Sequence, residues 1–453
     1  MIEIKNIRLA SGNFATFSIK NGVLDNVTTH IQLKSNLPSD VRLENFTDAS
    51  AFAEGTTIDA KGALIVPAAI DSHVHSREPG FSHKETWQTL AISAFKGGVG
   101  AVIDMPNTLP PTLTKKQVLE KVKFASKTPL NYRFLLGVTN ENLSHIRDIL
   151  EDKKLPISGL KIFFGPSTGG HTFSDLATLD KTLLNLDPLI VFHAEDLNII
   201  DKSKKRLGPL LSSKEGKNNY ALHSEIRSSE AASSAVDTIL SFAKKTKRRI
   251  HIAHVSTPTE IMNIAAAKDE GANVTAEVCP HHLVFSVKDY AAKGPFIVMN
   301  PPVRSEEDVL SLRQKFADTL FSTFATDHAP HTEAEKQQDY LSCPSGIPSI
   351  EFFYPLLIKS MELSKIPIQY GDQLHSFIHL VTTAPADLFG FTRVGCFKGG
   401  YEASFVWLEK KEFSVSRKNL TTKCQWSPYE NMLFSHRVRA TWIKGKRLYS
   451  DAS

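Results

Sequence analysis

Between residues 65 and 332, short β-rich runs alternate with longer segments whose apolar residues recur at helical spacing. Eight runs read as strands: "LIVPAAIDSHVH", "VGAVIDMPN", "YRFLLGVTN", "ISGLKIFFG", "LIVFHAED", "RIHIAHVS", "NVTAEVCPH" and "FSTFATDHAPH". The segments between them, from "KETWQTLAISAFKGG" to "EEDVLSLRQKFADT", read as crossover helices. Nearly continuous apolar strands are the mark of burial on both faces, so the alternation predicts an α/β fold, a parallel (β/α)8 barrel of the TIM type. The flanks differ. Residues 1–62 and 396–453 carry β-prone stretches such as "ATFSIKNGVL" and "RVRATWIKGKRLY", punctuated by Gly and Asn. They predict a small β-domain built from both termini, beside a barrel spanning 63–395.

Chemistry in such barrels gathers at the C-terminal ends of the strands. Here most runs end in a polar cluster: His73/His75, Asn107, Lys161, His193, His254, His281/His282 and Asp327/His331. In "DSHVHSREPG" a continuing strand would project His73, His75 and Arg77 from one face, until Pro79-Gly80 stops it. A single histidine at a strand end is usually a satisfied structural residue. Together, His73, His75, His193, His254 and Asp327 would set four imidazoles and a carboxylate at one mouth, a ligand set suited to zinc or a similar divalent ion.

Lys161 is the odd member, because an ammonium beside divalent ions is repelled and a buried unpaired charge is costly. Either it pairs with an acidic neighbour, or carbon dioxide adds to its neutral amine and makes a carboxylate on a long arm able to bridge two metals. The carbamate leaves such a site mildly positive and hospitable to an anion, whereas a protonated lysine leaves it strongly positive. Arg77 suits a carboxylate, which guanidinium binds through two parallel hydrogen bonds.

Composition narrows the classes. The chain has 453 residues, 41% hydrophobic, with a net charge of +5 and both signs interleaved. It lacks the concentrated basic footprint of a nucleic-acid binder. The runs "KSKKR" (202–206) and "KKTKRR" (244–249) read as a solvated loop and a helix end. No apolar run is long enough to span a bilayer and the N-terminus has no signal-like region, so a cytoplasmic protein without a membrane partner is expected. Four scattered cysteines form neither a disulfide framework nor a CxxC site, which fits a reducing compartment.

"HVHSREPG" followed by "ATDHAPHTEAEK" resembles the paired signatures of dihydroorotases of the longer, class I type, within the amidohydrolase superfamily. "MPNT", "VFHAED", "HIAHVST", "NPPVR" and "CPSGIP" fall where that family has its equivalents, so the resemblance covers nearly the whole chain. It implies two zinc ions per subunit. His73, His75 and Asp327 would hold one, His193 and His254 the other, and carboxylated Lys161 with a hydroxide would bridge them. It also implies Asp327 as the proton carrier, Arg77, Asn107 and His331 on the substrate carboxylate, and Asn300 with Ser345 and Gly346 on the ring amide.

The implied reaction is reversible hydrolysis of dihydroorotate to N-carbamoyl-L-aspartate in pyrimidine biosynthesis. A homodimer, and association with another enzyme of that pathway, are family expectations. Allantoinases and hydantoinases are the nearest rivals, and a non-catalytic scaffold is a rival of another class. Arg77 argues against the first pair, whose substrates lack the ring carboxylate. The complete set of ligand residues argues against the second.

Overall fold

The computed structural model describes residues 1–31, 41–42, 55–165 and 172–451. Eight parallel strands run in chain order around a barrel: Ala69–Val74, Val99–Asp104, Asn131–Gly137, Ile157–Phe164, Leu189–Ala194, Ile250–Ile252, Val274–Val278 and Thr323–Phe324. A parallel bridge between Val74 and His328 joins the last strand's exit to the first strand. Every residue of the first, second and fifth strands is buried, which is why their sequences read as apolar runs.

The crossover helices start where the sequence can hold a helix N-terminus. Thr86 with Thr89, Thr114 with Gln117, and Thr257 with Glu260 each form a reciprocal capping box ahead of Trp87–Gly97, Lys115–Ala125 and Pro258–Asp269. Gly98 ends the first helix in left-handed backbone at φ 83°, returning the chain directly into the second strand.

A nine-stranded sheet gathers both termini. Its central run pairs Ile2–Arg8 with Phe14–Lys20 on one side, while Phe405–Ser414 pairs with Leu433–Ile443 on the other. Leu64–Pro67 joins these halves, lying antiparallel to Phe405–Ser414 and touching Arg8. The run "LIVPAAIDSHVH" is therefore two strands rather than one, the first in the terminal sheet and the second in the barrel. The sheet has its own core of Ile2, Ile4, Phe17, Ile58, Phe405 and Trp442. Residues 32–40 and 43–54 of the N-terminal stretch lie outside the described residues.

Two further expectations change. "KSKKR" lies in the helix Leu197–Leu211 rather than in a loop, because Asp196 caps that helix through the backbone N–H groups of Asn198 and Ile199. The first barrel strand stops at Val74, before His75 and Arg77. The next turn is captured instead: Ser76 N–H donates to Asp104 Oδ1 at 2.7 Å, and the backbone turns left-handed at Arg77 with φ 62°. No described helix is long and apolar enough to cross a membrane.

Asp104 is itself held by Lys121, reaching in from the Lys115–Ala125 helix, with 2.5 Å between Lys121 Nζ and Asp104 Oδ2 and both side chains inaccessible. Lys121 also donates to Met105 O at 2.7 Å. One ion pair thus ties an outer helix to the loops after the first and second strands. Lys121→Met strands a buried carboxylate, and should lower unfolding free energy by about 3–5 kcal/mol. Urea denaturation checks this, and Asp104→Asn/Lys121→Met should recover a substantial part of the loss; equal loss in both variants would contradict the pairing.

Candidate metal centre

His73, His75, Arg77, Asn107, Lys161, His193, His254, Asn300, Asp327, Ser345 and Gly346 line one narrow cleft at the C-terminal end of the barrel. His331 stands behind it, against Arg77 and Ser345. Every residue singled out in the sequence for ligand or substrate contact is thus brought to one place. Phe163, also in the cleft wall, had no signal beyond its apolar strand.

The imidazoles are aimed by what holds their other nitrogen. His73 Nδ1 meets Glu277 Oε1 at 2.8 Å, leaving Nε2 toward Asp327 Oδ1 at 3.3 Å. His75 Nδ1 meets Asn107 Oδ1 at 2.6 Å, leaving Nε2 at 3.0 Å from the same Asp327 oxygen. One ligand atom from each of His73, His75 and Asp327 lies within 4.8 Å of the others.

The second pair works the other way round. His193 Nε2 meets Glu195 Oε2 at 2.9 Å, so Nδ1 faces His254 Nε2 at 3.0 Å. Glu195 is gripped in turn by Arg227, whose Nε lies 3.1 and 3.0 Å from its two oxygens. A carboxylate behind a ligating histidine selects its tautomer and raises its basicity. Glu195 in "VFHAED" and Glu277 in "NVTAEVCPH" lie in runs already read from the sequence, but only packing reveals their contacts with His193 and His73.

Three of these side chains sit on left-handed backbone: Arg77 (φ 62°), His254 (φ 38°) and Asp327 (φ 47°). Such residues are costly to place, and they turn the chain sharply into the mouth as each strand ends. Gly346 at φ 141° serves a different need, since a Cβ there would meet Ala329 O at 2.5 Å. That rim position admits no side chain.

Electrostatics follow burial. Burial pushes His75 down to about 4, against the pull of Asp327, and pushes His254 well below its ordinary value with help from His193. Both shifts favour neutral rings, the state in which an imidazole can ligate a metal. Burial alone would raise Asp327, but His73 and His75 hold its carboxyl well below the usual range. Lys161 is fully buried, its Nζ makes no hydrogen bond among the described residues, and burial drives it down to about 8.

An amine in that setting suits a divalent metal centre only if it is neutral or converted to an anion. The orphaned Nζ and the convergent ring nitrogens therefore fit a metal site. Cys279, His281 and His282 are buried beside this region but do not line the cleft, and His282 Nε2 donates to Pro301 O at 3.0 Å.

The model of the amidohydrolase family matches residues 64–448. A dihydroorotase of Methanosarcina acetivorans is 32% identical over 95% of this chain and 88% of its own length. One of Halobacterium salinarum is 35% identical over 81% and 82%. An allantoinase of Bacillus velezensis is 29% identical over 87% and 85%. Among solved structures, L-hydantoinase (dihydropyrimidinase) from Arthrobacter aurescens superposes with a TM-score of 0.86 at 23% identity, covering 100% of this chain and 96% of that one.

The buried imidazoles also set a pH dependence. Burial depresses His75 and His281 to about 4 and His223 to about 3, from an unfolded value of 6.5. The stability they contribute is complete above the unfolded value and is lost as pH falls toward their folded values. Asp71, raised to about 7 by burial, and Glu260, also raised by burial, oppose this as two groups against several. Metal-stripped protein should therefore show a falling urea midpoint as pH drops from about 7 to about 5. A flat or rising midpoint would contradict the neutral, buried state of these rings.

Proposed function

The chain belongs to the amidohydrolase family, and from that premise we propose that it is a dihydroorotase, interconverting dihydroorotate and N-carbamoyl-L-aspartate in pyrimidine biosynthesis. The observation that carries this reading is the cationic wall beside the metal-ligand group. Arg77 is buried, its Nε donates to Pro330 O at 2.9 Å, and its NH2 lies 3.0 Å from His331 Nε2. Burial lowers Arg77 only to about 10, so it stays charged at neutral pH. A fixed guanidinium at the edge of a metal cleft calls for an anionic substituent on the substrate. The ring carboxylate of dihydroorotate supplies one, and it is what allantoin and the simple hydantoins lack.

His73, His75 and Asp327 would hold one divalent ion, His193 and His254 a second, and Lys161 as its carbamate would bridge them. When bound, such ions supply Lewis acidity, polarising the scissile carbonyl and easing deprotonation of the attacking water. Asp327 is held ionised within reach of two imidazoles, so its free oxygen is the base that takes the water's proton and returns it to the departing ring nitrogen. In ring closure the same carboxylate accepts the proton from the carbamoyl nitrogen.

Asn107 has its carbonyl oxygen engaged by His75, and Asn300 has Oδ1 2.9 Å from His223 Nε2. Asn300 therefore offers its amide N–H end toward the ring carbonyl, while Asn107, lining the same cleft as Arg77, would contact the carboxylate. Backbone at Ser345 and Gly346 would line the ring's amide edge, as the narrow packing at Gly346 suggests.

Zinc-replete protein should turn over dihydroorotate in preference to allantoin and hydantoin; absence of dihydroorotate turnover would sink the assignment. Arg77→Lys should raise KM about 10- to 100-fold, through loss of charge-assisted bidentate bonding, while zinc content stays at the wild-type value. Lys161→Ala should drop the zinc stoichiometry by elemental analysis, and unchanged stoichiometry would contradict the bridge.

A further inference from the structure

Lys84 lies just past the Pro79-Gly80 turn, in a stretch to which sequence reading attaches no chemistry. Its side chain is 12% exposed, and Nζ is 3.0 Å from Glu335 Oε1. The same Nζ is 3.0 Å from His331 Nδ1. An ammonium has donors only, so Nδ1 must accept. Burial and the charges of Arg77 and Lys84 hold His331 neutral, and a neutral imidazole carries a single N–H. That hydrogen therefore falls on Nε2, where Ser345 O accepts at 3.1 Å. Arg77 NH2, at 3.0 Å from the same Nε2, is then one donor facing another. With the Nε2 hydrogen given to Ser345 O, the ring offers Arg77 NH2 no lone pair, and that guanidinium donor is left for an incoming anion.

We propose that Lys84 is a positioning residue of the anion subsite: by donating to His331 Nδ1 it selects the Nε2–H tautomer, which Ser345 O engages, and so keeps the Arg77 guanidinium from being tied to the ring and leaves it to bind the anion. That the anion is the substrate's carboxylate rests on the function proposed above. The rest of the ring's surroundings is already fixed. Trp426 Nε1 donates to His331 O at 2.8 Å, and Thr332 N–H holds Glu335 Oε2 at 2.9 Å.

Without Lys84, Nδ1 keeps Glu335 Oε2 3.9 Å away, an acceptor that favours hydrogen on Nδ1. Nε2 would then present a lone pair, Arg77 would donate to it directly, and the carbonyl of Ser345 would lose its donor. The subsite would then have Arg77 tied to the ring.

The test combines tautomer and kinetics on zinc-loaded protein. Two-bond proton–nitrogen correlation spectra of histidine-labelled protein, with His331 identified by its absence in His331→Asn, should report Nε2–H in wild type and Nδ1–H in Lys84→Met. KM for dihydroorotate should rise about tenfold or more in Lys84→Met, the loss expected for a hydrogen bond to a charged group. Saturated turnover and zinc content should change far less. Lys84→Arg, which keeps the donor, should retain the wild-type tautomer and KM near the wild-type value.

Glu335→Gln removes the ion pair and leaves Lys84 to donate, so it should also keep Nε2–H; this separates tautomer control from a merely structural ion pair. An Nδ1–H signal in wild type overturns the proposal whether or not the variants fold, and so does an unchanged KM in Lys84→Met. Absence of dihydroorotate turnover by wild type would count against the proposed reaction alone, since the tautomer is read without it.

Discussion

A neutral imidazole has one donor and one acceptor, and the metal centre depends on that scarcity. Glu277 takes Nδ1 of His73, Asn107 takes Nδ1 of His75, and Glu195 takes Nε2 of His193. What remains of each ring points into the cleft, so ligand direction is set from behind. The carboxylates that do this are buried and must themselves be satisfied. Burial would raise Glu195, yet Arg227 and His193 hold it well below its usual value. Glu277 is likewise held low by His73 and His251 despite burial, and Ser72 Oγ and His254 N–H also donate to it. The outer groups therefore belong to the site as much as the ligands do.

Backbone geometry answers the same requirement. A strand offers only alternate residues to the mouth, and here part of the site comes instead from the turns just past strands that end early. Arg77, His254 and Asp327 each occupy left-handed backbone just beyond a strand, and surrounding bonds hold them there. Asp71 accepts from Thr326 N–H at 3.0 Å and from its hydroxyl, fixing the loop that carries Asp327. Asp104, paired with Lys121, does the same for the loop that carries Arg77. The terminal sheet joins in through the segment between its last long strands, where Trp426 is buried against the rim and holds His331 by its carbonyl.

The eight strand runs and their crossover helices were legible because burial on two faces and a helical stripe leave different periods in the sequence. The clusters at the strand ends were legible because ionisable residues at the tips of apolar runs need a reason to be there. Less could be read where a local pattern had two uses. "LIVPAAIDSHVH" is apolar throughout, and nothing in it marks that Leu64–Pro67 pairs with Phe405–Ser414 while Ala69–Val74 opens the barrel. "KSKKR" has the composition of a loop, and becomes helix because Asp196 caps the segment and Ile200, Leu207 and Leu211 bury its other face.

By itself, then, the sequence determined the barrel, the terminal sheet and the identity of the side chains at the mouth, since these follow from periodicity and from residue chemistry. Tertiary structure alone decided which nitrogen of each histidine is available, that Lys161 Nζ is buried without a hydrogen bond among the described residues, and that Lys84 faces His331. Those outcomes depend on partners tens to hundreds of residues away in the chain: Glu277 for His73, Arg227 behind Glu195 for His193, Lys84 for His331. A tautomer is chosen by the donor or acceptor a few ångströms from the ring, and chain order carries no record of that distance.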